Sequence, residues 1–187
     1  MPPLCSSGVA IVSGSVKLTK LGDPPGNEGV LVHGTLDFPA GTPATFDPAA
    51  RGAQLRIEDL GDAAMLLDLT NATVPIPAGA PGTGCGPKDG WKKTTYRNAS
   101  NAVGAPACPA GSAHGLKILK LKDKRAKGGG ITLKGIVRGA TLAAPTGPLR
   151  VTLVLGTDPA VGAAGECGVV TFADGACAQK KRTYVCK

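Results

Sequence analysis

With 187 residues, 42% of them hydrophobic, the chain is long enough to bury a core as one large β domain or two small ones. One Trp, two Tyr and three Phe stand beside 28 Gly and 16 Pro, which excludes a core built on rings and suits short strands joined by tight turns. The formal net charge of +8 directs any charged partner to the anionic side, and no apolar run reaches the ~20 residues of a membrane-spanning helix.

In chain order, the opening "MPPLCSSG" lacks the basic start and apolar stretch of a secretion signal. The cysteines imply an oxidising compartment, so the signal is expected to have been removed. Residues 8–12, "GVAIV", put Val9, Ala10, Ile11 and Val12 in a row, apolar on both faces, as in a strand covered on both sides. It reads either as an ordinary first strand or as one that fills a gap by strand addition, in the second half of the chain or in a neighbouring molecule.

"TKLGDPPGNEGVLVHG" (19–34) reads as a glycine-broken hairpin. Beyond it Val30, Val32, Leu36 and Phe38 alternate with Leu31, His33, Thr35 and Asp37. "LGDA" (60–63) reads as a turn into a strand where Met65, Leu67 and Leu69 face away from Leu66 and Asp68. "WKKTTYRN" (91–98) reads as a strand with Trp91 and Tyr96 on opposite faces and Trp91 plugging the core. "ASNAVGAPACPAGSAHG" (99–115) is a connection, followed by the lysine-rich hairpin "LKLKDKRAKGGGITLKG" (119–135). Leu149, Val151, Leu153 and Leu155 alternate with Arg150, Thr152 and Val154, and strands fit 168–173 and 179–186. Ala-rich pieces are cut by Pro or Gly, so helices are not expected.

The second half repeats the first. Lys17–Asp23 lies over Lys117–Asp123, Gly29–Gly34 over Gly130–Gly135, Leu55–Ile57 over Leu149–Val151, and "KTTYRN" (93–98) over "KRTYVC" (181–186). In both copies the apolar phase slips by one residue early in the first hairpin, which predicts a β-bulge there. The expected architecture is all-β: two tandem antiparallel Ig-like sandwich units, 1–98 and 115–187, joined by a linker at 99–114.

Six cysteines, Cys5, Cys85, Cys108, Cys167, Cys177 and Cys186, form no C-x-x-C pair, which favours disulfides over a metal site. Cys85–Cys108, Cys167–Cys177 and Cys5–Cys186 are the pairings that suit the loops, with Cys177–Cys186 as a rival. His33 and His114 have no nucleophile or zinc motif around them, so no catalytic residue, metal or cofactor is expected. Asp59, Asp62 and Asp68, and separately Asp23, Asn27 and Glu28, are weak calcium-like clusters. Asn71 and Asn98 start sequons that are common by chance.

Lys117, Lys120, Lys122, Lys124, Arg125 and Lys127 crowd one hairpin and Lys180, Lys181 and Arg182 another. On one face they would attract acidic polysaccharide, lipopolysaccharide or nucleic acid; otherwise they are solvated lysines guarding sheet edges. Too few aromatics are present for base stacking or sugar platforms. The "LKLKD…GGGITLKG" hairpin and "ECGVVTF…C…YVCK" resemble secreted bacterial β-repeat proteins, a likeness that implies no activity or site residue. The expectation is a secreted or cell-surface, non-enzymatic structural or adhesion protein, self-associating or fibre-forming through residues 8–12. The alternative is a module that binds anionic polymers through its lysine hairpins.

Overall fold

The computed structural model describes residues 4–22, 24–69, 76–82, 87–98 and 116–187. The linker at 99–114, the Cys85–Cys108 pairing, Asn71, Asp23 and His114 lie outside them.

The described residues form twelve strands. The first half holds β1 (Val9–Thr19), β2 (Glu28–Leu36), β3 (Gln54–Asp59), β4 (Met65–Leu69), β5 (Gly90–Lys92) and β6 (Thr95–Arg97). The second holds β7 (Leu116–Asp123), β8 (Ile131–Ala140), β9 (Leu149–Val154), β10 (Cys167–Thr171), β11 (Cys177–Lys180) and β12 (Thr183–Cys186). Among the described residues two one-turn helices, α1 (Pro48–Arg51) and α2 (Pro159–Ala163), and a 3-10 turn at Arg125–Lys127 complete the list. Each helix opens on Asp-Pro: Asp47 accepts from the N–H of Ala49 and Ala50, and Asp158 from that of Ala160. Those dipeptides were the signal in the sequence.

The strands form one curled, continuous sheet with two parts: a large sheet, β11-β12-β1-β2-β8-β7-β6-β5, and a small sheet, β4-β3-β9-β10, joined where the start of β1 pairs in parallel with β10. Both turn apolar sides to one core, from Leu18 and Leu119 in the large sheet to Leu55, Ile57, Val151 and Leu153 in the small one. Exchanging β1–β6 with β7–β12 in order reproduces each antiparallel pairing. The halves are therefore related by a pseudo-two-fold axis and are interlocked. This replaces two tandem Ig-like sandwiches: a separate half would leave the long edges of β2 and β3 open, and β2·β8 and β3·β9 close both. The segments 1–98 and 115–187 each contribute six strands, but to shared sheets.

Register corrects the alignment of the copies. Tyr184 stands opposite Leu18 and Tyr96 opposite Leu119, so these leucines correspond. Leu18 faces Val30, and Leu119 faces Gly135, so Val30 corresponds to Gly135 and not to Ile131. The match slips by four residues because the second hairpin is longer. In this register His33 corresponds to Arg138, and Leu31 to Ile136, which it directly faces.

The apolar phase slip is absorbed at a different point in each copy. In the first, Lys20 takes φ 61° and returns Leu21 to the core beside Val16 and Leu18. In the second, the register shifts between Leu116 and Ile118 so that Leu116 and Leu119 are both buried.

The expected strands 91–98 and 179–186 are hairpin pieces that reverse at Lys93 and Lys181, which share a positive φ of 56° and 53°. The reversal puts Trp91 and Tyr96 opposite one another, both buried, with ring centroids 5.5 Å apart. Trp91 is a core residue, its indole N–H donating to the Pro77 carbonyl at 2.7 Å. A register shift beside Met65 leaves that side chain 40% exposed while Leu66 and Leu67 are buried.

Among the described residues the disulfides are Cys5–Cys167 and Cys177–Cys186, in place of the expected Cys5–Cys186 and Cys167–Cys177. Cys177 and Cys186 are register partners in the terminal hairpin, which takes both away from the other candidates. Cys5 then closes on β10, where Leu4, Val154 and Val161 form a small second core over the outside of the small sheet.

Residues 9–12 are spent inside the chain. Val9 and Ala10 lie parallel to Gly168 and Val169 of β10, and Ile11 and Val12 pair with Leu36 and Thr35. Each of the four residues is thus paired within its own chain, Val9 and Ala10 to β10 and Ile11 and Val12 to β2, while Val12 stays 41% exposed.

Candidate anion-binding face

Alternation along the strands of the large sheet sends one set of side chains to the core and the other outward. The outward set forms rows across the sheet. One runs through Ser15, His33, Lys134, Lys120, Thr95 and Lys92, each opposite the next. At ~4.8 Å per strand, His33 to Lys92 spans about 19 Å. The adjacent row is Val185, Lys17, Leu31, Ile136, Ile118 and Arg97. A third ends on Lys180 and Arg138, and a fourth on Lys122.

The eight cations Lys17, Lys92, Arg97, Lys120, Lys122, Lys134, Arg138 and Lys180 are all exposed. Among the described residues no carboxylate occupies an outward position of these strands. Glu28, the acid of β2, is buried and accepts from the N–H of Gly26 and Asn27. Lys120 and Lys134 stand directly opposite each other, an arrangement that costs stability in a sheet.

The outer face of the small sheet is built differently. Glu58 and Arg150 are register partners joined by two hydrogen bonds of 2.8 Å, which hold the Glu58 carboxyl below its ordinary value. Arg56 and Asp68 are also partners, 3.8 Å apart. One face of this protein thus pairs its charges across strands, while the other gathers a single sign.

The residues expected to bind polyanions divide accordingly. Lys120, Lys122 and Lys180 lie on the face. Lys117 is half-buried at the bulge of β7, Lys124 and Lys127 sit at the hairpin tip, and Lys181 and Arg182 form the last turn. Arg125 is committed elsewhere: it makes a two-pronged bond to Asp123 at 2.9 and 2.7 Å, donates to the Pro43 carbonyl at 2.6 Å and lies 5.9 Å from the Phe46 ring. Lys17, Lys92, Arg97 and Arg138 were missed because they come from strands remote in sequence, and Lys134 because the hairpin sequence does not show that it faces Lys120.

The remaining candidates are structural. Asp59 accepts from the N–H of Gly61, Thr146 and Gly147 and from the Thr146 hydroxyl, tying the β3–β4 turn to the loop before β9. Burial alone would raise its carboxyl, but these donors hold it below the ordinary value. Asp62 caps the Ala64 N–H, so Asp59, Asp62 and Asp68 turn to different partners and do not converge as a calcium cluster. Tyr96 is pushed up to about 12 by burial and then by Asp89, and with Trp91 and Tyr184 in the core no aromatic platform lies on the basic face. No helix of the described residues is long and apolar enough to cross a membrane.

Compared with known proteins, the chain matches no family model, no curated protein and no solved structure.

Proposed function

We propose that this chain is a secreted, non-enzymatic binding protein that holds an extended acidic polysaccharide across the outer face of its large sheet. The single observation that carries the reading is the row in which Lys120 faces Lys134 with no acid beside them. A chain that neutralises Glu58 with Arg150 on one sheet keeps like charges opposed on the other, and an anionic ligand would relieve that repulsion. A row in which Lys134, Lys120 and Lys92 span about 14 Å across four strands suits a linear polymer more than a small solute. The buried aromatics favour polysaccharide over single-stranded nucleic acid, which takes exposed stacking platforms. Two disulfides agree with an oxidising, extracellular setting.

The test is titration with fluorescent heparin and, in parallel, double-stranded DNA at rising salt. The expected result is heparin binding that weakens steeply between ~50 and ~200 mM salt and exceeds binding to DNA of equal charge. Equal or tighter DNA binding would reassign the face to nucleic acid, and no binding to either would end the reading.

A further inference from the structure

His33 occupies a cation's place on this face. In the register of the two halves its counterpart is Arg138, exposed on the same outer surface. It lies in the row of like charges, opposite Lys134, with Lys120 next in line. From β1 it is faced by Ser15, with Lys17 two residues along, and no carboxylate faces it from β1 or β8. The second half thus carries a permanent cation where the first half carries one that depends on pH.

Building on the polysaccharide reading, we infer that His33 is the conditional cation of the basic face, and that the grip on an acidic polymer tightens as pH falls from neutrality toward about 5. Burial and then the Lys134 ammonium hold the imidazole below its ordinary value, so His33 is neutral at pH 7.5 in the free protein. A bound polyanion offsets the Lys134 charge and favours the imidazolium. Binding then takes up a proton, and by linkage affinity rises as pH drops through the range where His33 titrates.

The experiment measures heparin affinity at constant ionic strength between pH 7.5 and 5, where sulfates keep their charge, for the native chain, His33→Gln and His33→Arg. The native chain is expected to tighten by about three- to tenfold as His33 takes up its proton on binding. His33→Gln should change less than about twofold, and His33→Arg should bind tightly throughout. His114 is present in all three and cancels. Parallel pH profiles for the native chain and His33→Gln would overturn this inference alone. Absence of binding at every pH would overturn the polysaccharide reading and this inference with it.

Discussion

Ile57 and Val151 stand opposite one another across β3 and β9, and each is the other's counterpart in the internal repeat. A residue that faces its own copy lies on the pseudo-two-fold axis. Leu31 and Ile136 mark the same axis in the large sheet. The duplicated module therefore completes itself by pairing with its copy.

Separated halves should not fold. A chain of residues 1–98 alone loses the partners of β2 and β3, and should show little fixed tertiary structure by NMR until residues 115–187 are added. Independent folding of either half would contradict the interlocked arrangement.

Gly135 lies where the sheets meet. A side chain there would come within 2.6 Å of Val32 Cγ1 and 3.6 Å of Leu55 Cδ2. Gly135→Leu should destabilise the fold by ~1–3 kcal/mol in denaturant unfolding, the usual cost of overpacking.

Asp59→Ala removes the acceptor of four hydrogen bonds and should cost about 2–3 kcal/mol. Because the folded carboxyl titrates below its unfolded value, its contribution is present above the unfolded value and is lost as pH falls through the folded one. The gap between native and variant stability should therefore close in strong acid, and a gap constant down to pH 2 would contradict this.

The two disulfides should differ in weight. Cys5–Cys167 closes a separation of 162 residues and pins the segment before β1 to β10, whereas Cys177–Cys186 closes 9 residues within a hairpin. Cys5→Ser with Cys167→Ser should lower stability by ~2–4 kcal/mol, and by more than Cys177→Ser with Cys186→Ser.

Strand identity was legible because alternation of Val30, Val32 and Leu36 with Leu31, His33 and Thr35 has period two. The alignment of the halves was not. A slip of four residues, from Ile131 to Gly135 as the counterpart of Val30, keeps the same inward and outward parity, so alternation cannot detect it. The reversals at Lys93 and Lys181 were hidden because neither uses the Gly or Asn that a positive φ ordinarily calls for. Lysine-rich hairpins in the sequence pointed to an anionic partner. The face as a whole, with His33 opposite Lys134 and Arg138 opposite Gly29, exists only once strands of both halves are in register.

The most direct measurement compares two variants of equal net charge on a heparin column. Lys120→Glu with Lys134→Glu breaks the row on the large sheet, while Lys124→Glu with Lys127→Glu alters the hairpin tip. The face variant should lose about tenfold or more in affinity, and the tip variant should stay within about twofold of the native chain. Equal losses in both would mean that overall charge, and not this face, holds the polymer.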